Sequence, residues 1–118
     1  MVKLTVYQKP TCTTCRQVLK LIEASGHPYQ AINYYETPLT KTKLKQLLKK
    51  AGLTARDVLR TKEDVYKRFK DRIATMTEEQ LIDFILEHPD LLQRPLVEKG
   101  NTAILARPAE AVKRLLNA

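Results

Sequence analysis

The alternation of apolar and polar positions at the start of the chain, Lys3-Leu4-Thr5-Val6-Tyr7, predicts a strand over 3–7. Pro10-Thr11 breaks it. From Thr13 to Ser25 the period changes: Val18, Leu19 and Ile22 recur at helical spacing, Gly26 supplies a stop and Pro28 lies just beyond. Residues 29–34 return to a strand pattern, giving a βαβ unit with a right-handed crossover. Thr40 is a candidate N-cap for a helix whose apolar stripe is Leu44, Leu47 and Leu48 and which ends at Gly52. Two short helical pieces are expected over 54–59 and 62–69. A clearer helix is expected over 77–87, with Thr77 and Gln80 as a capping box, Leu81, Phe84 and Ile85 facing a core, and Pro89 as the stop. Residues 94–98 and 102–105 read as strands around Lys99-Gly100-Asn101, and 109–116 as a last helix with Pro108 near its first turn. The order is β-α-β, then helices, then β-β-α.

Length and composition narrow the class. A chain of 118 residues with 43% hydrophobic content suits a single domain, 1–118, with helices inserted over about 38–88. No stretch approaches the ~20 apolar residues of a membrane span. The first residues read as a strand rather than a signal peptide, so a cytoplasmic location is expected. The net charge of +8 would attract an oxyanion, a nucleic acid or an acidic partner. However, Lys41, Lys43, Lys45, Lys49 and Lys50 fall on one helix and also fit a solvated face. Basic residues are not interleaved with aromatics, and no nucleic-acid recognition motif is present, so direct nucleic-acid binding is not expected.

The chemistry concentrates at Cys12 and Cys15, the chain's two cysteines, between the first strand and the first helix. At a helix start, free N–H groups (here those of Thr13, Thr14 and Cys15) and the helix dipole favour a thiolate. In a reducing compartment, a Cys-x-x-Cys beside a βαβ unit reads as thioredoxin-like and redox-active. Two small core residues or a zinc site are alternatives. His27 and His88 are the available histidine ligands, but their spacing supports no metal site. Arg94 directly precedes Pro95 at a strand start, and Arg107 ends the neighbouring strand. A hairpin would bring the two guanidinium forks together as a receptor for a tetrahedral oxyanion, with Arg60 a third candidate. From spacing alone, each arginine reads first as a surface residue.

Thr11-Cys12-Thr13-Thr14-Cys15-Arg16, Leu59-Arg60-Thr61-Lys62-Glu63-Asp64-Val65-Tyr66, Met76-Thr77-Glu78-Glu79-Gln80-Leu81-Ile82, Arg94-Pro95-Leu96 and Ala106-Arg107-Pro108-Ala109-Glu110 occur in this order across nearly the whole chain. Together they resemble the glutaredoxin-coupled arsenate reductase family, whose superfamily also includes Spx-type regulators. The resemblance implies an α/β fold, a thioredoxin/glutaredoxin-like core with a mixed four-stranded sheet and an inserted helical region. It implies Cys12 as the nucleophile on arsenate and Arg60, Arg94 and Arg107 as oxyanion ligands. It also implies glutathione and glutaredoxin as the source of electrons, with no bound cofactor. Two departures stand out. Gln8 occupies a position where reductases of this branch can carry a histidine, and Cys15 is a second cysteine that could resolve an intermediate on Cys12 as a disulfide. The alternatives are a redox-sensing regulator that binds RNA polymerase and a glutathione-dependent thiol reductase acting on another substrate.

Overall fold

The computed structural model describes residues 2–117. The strands are β1 (Leu4–Gln8), β2 (Tyr29–Asn33), β3 (Leu96–Lys99) and β4 (Thr102–Leu105). The helices are α1 (Thr13–Ser25), α2 (Lys41–Ala51), α3 (Asp64–Thr75), α4 (Glu78–Glu87) and α5 (Lys113–Leu116). The chain divides into two compact units: residues up to Pro38 together with those from Arg94 onward, and Leu39–Gln93 between them.

The first unit is built on one sheet in the order β2-β1-β3-β4. β1 and β2 run parallel, and β3 is antiparallel to both β1 and β4. This mixed four-stranded sheet, with its β-α-β and β-β-α halves, is the thioredoxin-like arrangement. Its core is continuous from Leu4 and Val6 on β1, through Val18 and Ile22 on α1, to Val97, Ala106, Ala109, Val112 and Leu115. α1 ends where expected, at Gly26, whose φ of 78° lies in the left-handed region that glycine enters without a Cβ penalty.

The second unit is helical. Leu44, Leu47 and Leu48 of α2 and Leu81, Ile82, Phe84 and Ile85 of α4 are buried. The Thr77–Gln80 capping box forms in both directions. Lys41 meets Glu79 and Asp83 at 3.0 Å each, and Lys45 meets Glu79 at 2.6 Å, so the lysine-rich face of α2 is partly neutralised by α4. These exposed pairs add little to stability.

Several boundaries differ from expectation. The piece expected over 54–59 is a single 3-10 turn, Arg56–Val58. α3 starts at Asp64 and continues to Thr75, well past residue 69, although Phe69 leaves helical geometry at φ −111°, ψ 17°. The charged run Lys70-Asp71-Arg72 hides the continuation, which is anchored by buried Ile73. β3 begins at Leu96, so Arg94 and Pro95 precede the strand, and Lys99 pairs with Thr102 to leave Gly100 and Asn101 as the turn. The last helix is a 3-10 segment, Ala109–Val112, that passes into α5. Among the described residues, no helix is long and apolar enough to cross a membrane.

Candidate active site

β1 runs out at Gln8, and the chain turns through Lys9-Pro10-Thr11 before α1 begins. The Cys12 N–H donates to the Lys9 carbonyl at 2.9 Å, closing that turn. Cys12 is therefore the N-cap of α1, with extended backbone at φ −79°, ψ 123°. Its sulfur takes the place of a capping oxygen and accepts the Cys15 N–H at 3.3 Å. Of the amides of Thr13, Thr14 and Cys15, it is that of Cys15 that reaches the sulfur. Cys12 is half-buried, whereas Cys15 is fully buried on the stripe that continues through Val18 and Ile22. Both are free thiols.

Two guanidinium groups act on this sulfur. Leu96 on β3 pairs with Leu105 on β4. Arg94 lies two residues before that pair and Arg107 two residues after it, so the hairpin sets them side by side. Arg107 Nη1 donates to the Arg94 carbonyl oxygen at 3.0 Å. Arg94 is only 6% exposed, while Arg107 is exposed. The peptide bonds Arg94–Pro95 and Arg107–Pro108 are both cis.

The electrostatics divide the two cysteines into different roles. Burial opposes ionisation of Cys12. The hydrogen bonds from the Cys15 thiol and amide, together with the charges of Arg94 and Arg107, outweigh it and hold the Cys12 pKa below the ordinary thiol value. Cys15 moves the other way. Burial, its hydrogen bond to Cys12 and the charge on Cys12 push its pKa up to about 12, against opposing pulls from the Lys9 amide and Arg94. The pair is thus a Cys12 biased toward the thiolate beside a Cys15 held protonated.

Spacing did not reveal what holds Arg94. Its Nη1 lies 3.4 Å from the Tyr34 hydroxyl and 3.5 Å from that of Tyr35. The Tyr34 and Tyr35 rings pack with centroids 5.1 Å apart, and Lys9 Nζ sits 4.6 Å over the Tyr35 ring. Burial works against the Arg94 charge, but the two tyrosines and Cys12 more than offset it, so its pKa is raised. The parallel register Gln8↔Asn33 brings Lys9 beside Tyr34 and Tyr35 at the carboxyl ends of both strands. A tyrosine pair directly after β2 was the available signal, because ligands of open α/β sheets gather at strand carboxyl ends.

The remaining candidates are placed as follows. Gln8 is buried on the face of β1 shared with Leu4 and Val6, and its Oε1 has no hydrogen-bond partner among the described residues. Arg60 belongs to the helical unit. There its N–H donates to the Leu91 carbonyl at 2.7 Å and its Nε pairs with Glu63 at 3.0 Å. His27 precedes β2, at the far end of the sheet from Cys12, and its ring meets Ser25 Oγ at 2.9 Å. His88 ends α4 with its ring 4.5 Å from that of Phe84. Among the described residues, no three His, Cys, Asp or Glu side chains gather as metal ligands.

A thiolate beside two forked cations can attack the centre of a bound tetrahedral oxyanion while its oxygens are neutralised. Known proteins share this chain's sequence and fold over most of its length. The chain is 40% identical over 116 residues to an arsenate reductase of Yersinia enterocolitica, covering 98% of this chain and 82% of that one. A solved arsenate reductase from Vibrio cholerae superposes with a TM-score of 0.89 at 32% identity, covering 96% of this chain and 97% of that one. A putative arsenate reductase from Yersinia pestis superposes with a TM-score of 0.87 at 38% identity, covering 94% and 98%. Residues 7–115 match the ArsC family, and the span of that match, the shared fold and the level of identity together make this chain a member of the ArsC family.

Proposed function

We propose that this chain is an arsenate reductase, an oxidoreductase that converts arsenate to arsenite. In this reading the Cys12 thiolate attacks arsenic and an oxygen leaves as hydroxide or water. Arg94 and Arg107 hold the remaining oxygens. A second thiol, from glutathione or Cys15, then attacks the Cys12 sulfur: a sulfur–sulfur bond forms, the sulfur–arsenic bond breaks, and its electron pair stays on arsenic. Two thiols are oxidised, arsenic gains two electrons, and arsenite leaves. Glutaredoxin or another dithiol carrier reduces the resulting disulfide. Glutathione is a co-substrate, and the chemistry calls for no bound cofactor. The cytoplasm, which keeps thiols reduced, suits this chemistry.

The observation that carries the proposal is the Cys12 sulfur at the α1 N-cap, under the joint charge of Arg94 and Arg107. Charge-assisted hydrogen bonds contribute about 1.5–3 kcal/mol each, so two arginines would account for much of the anion affinity. Such a receptor favours this reading over a polymerase-binding regulator or a general thiol reductase, neither of which needs one. Arg60 enters through the family resemblance alone, as a further ligand of the adduct or product.

The test is arsenate turnover with glutathione and glutaredoxin. Wild type is expected to release arsenite and Cys12→Ser to release none. Full activity in Cys12→Ser would sink the mechanism.

A further inference from the structure

We infer that Cys15 is the thiol that releases arsenite, closing a Cys12–Cys15 disulfide before any external thiol acts. This rests on the arsenate reading above and specifies one of its steps. The carrying observation is geometric. Cys12 and Cys15 occupy the N-cap and the third position of one helical turn, where a cap side chain and its partner meet. The Cys15 amide already reaches the Cys12 sulfur at 3.3 Å. That amide contact sets the Cys15 side chain on the turn that carries the Cys12 sulfur, and each thiol acts on the other's ionisation.

The electrostatics give this step an order. In the resting state, two of the influences that keep Cys15 protonated come from Cys12 itself: its hydrogen bond and its charge. Once the Cys12 sulfur is bonded to arsenic it carries no thiolate charge, and both influences disappear. The Lys9 amide and the Arg94 charge, which favour the Cys15 thiolate, remain. Burial, the largest influence keeping Cys15 protonated, persists, but the two contributions from Cys12 are removed, so consuming the first nucleophile makes the second easier to ionise.

The step balances. The Cys15 sulfur attacks the Cys12 sulfur, a sulfur–sulfur bond forms and the sulfur–arsenic bond breaks with its electron pair left on arsenic. The Cys15 proton passes to an arsenite oxygen. Arsenic gains two electrons and the two cysteines lose two. Glutathione with glutaredoxin, or another dithiol reductant, later returns the disulfide to two thiols.

A single-turnover experiment tests this. Reduced full-length protein, freed of small thiols under anaerobic conditions, is mixed with arsenate. Arsenite, free thiols and intact mass are then measured. The expected result for wild type is about one arsenite per chain, both thiols lost and a mass lower by two hydrogens. Cys15→Ser should release none until glutathione is added, and should then carry glutathione on Cys12; that later turnover also shows the variant is folded, with Cys15→Ala as a second variant. The inference is overturned if wild type releases no arsenite without glutathione but turns over once glutathione and glutaredoxin are supplied. If wild type releases none even then, the arsenate reading fails and takes this step with it. The wild-type measurement decides the matter even if neither variant folds.

Discussion

Arg107 donates a hydrogen bond from Nη1 to the backbone carbonyl of Arg94 at 3.0 Å, tying an exposed guanidinium to the residue that carries the buried one. One hairpin therefore supplies both cations near Cys12.

Removing either cation should weaken the site in two separable ways. Arg94→Ala and Arg107→Ala should each raise the arsenate KM by roughly 10- to 100-fold, the equivalent of one lost charge-assisted interaction. Each should also raise the Cys12 pKa, because both charges lower it. Arg107→Lys should retain much of the pKa effect but lose the forked grip on two oxygens. Steady-state kinetics and pH-dependent alkylation read the two effects independently.

Iodoacetamide should modify Cys12 in preference to Cys15 between pH 7 and pH 8, because the Cys12 pKa is lowered while that of Cys15 is pushed up to about 12. Peptide mapping by mass spectrometry checks this. Cys15→Ala should move the Cys12 alkylation midpoint upward, since it removes a thiol hydrogen bond that favours the anion.

The same shifts predict opposite contributions to stability. The depressed Cys12 pKa contributes stability above the unfolded thiol value of about 8.5, and that contribution is lost as pH falls through the folded value. The raised Cys15 pKa contributes below that unfolded value, and its contribution is lost as pH rises toward about 12. Denaturant unfolding of Cys12→Ser should therefore approach wild type toward acid pH. For Cys15→Ala, the deficit relative to wild type should shrink above pH ~8.5.

Tyr35→Ala should raise the Cys12 alkylation midpoint although Tyr35 makes no hydrogen bond to the sulfur. The change frees Arg94 from its 3.5 Å hydroxyl contact and from a ring face 6.0 Å from the guanidinium carbon. Tyr35→Phe keeps the ring and should shift the midpoint less. A purely structural role for Tyr35 would lower thermal stability without moving the midpoint.

Gly100→Val should cost about 1–2 kcal/mol, because Gly100 sits at φ 60° in the turn between β3 and β4 and a branched residue is strained there. A Cβ at that position meets nothing within 4 Å, so the loss comes from backbone conformation and not from a clash. Thermal unfolding measures it.

Much of the frame was legible because its signals are local. Thr40, Thr77 and Gln80 cap helices as their side chains dictate, Gly26 and Gly52 end them, and Leu4, Val6, Val18 and Ile22 mark one buried face. The pairing of Arg94 with Arg107 was legible because two short strand patterns flank one turn. The end of α3 was not, since Ile73 is its one fully buried side chain and sits within a charged run. The cluster of Tyr34, Tyr35 and Lys9 has no signature along the chain. Their meeting depends on the parallel register of β1 and β2, which no spacing along the chain reports. The division of labour between the cysteines is similar: one motif holds both, but only the fold buries Cys15 and leaves Cys12 partly open.

The Leu96↔Leu105 pairing makes the geometry of the two cations a matter of counting. Side chains alternate across a sheet, so a single residue added to the loop at Gly100-Asn101 would slip one strand against the other and turn its side chains to the opposite face. Evolution can lengthen this loop only where the slip is absorbed within it, so the loop's length helps to set where Arg94 and Arg107 stand.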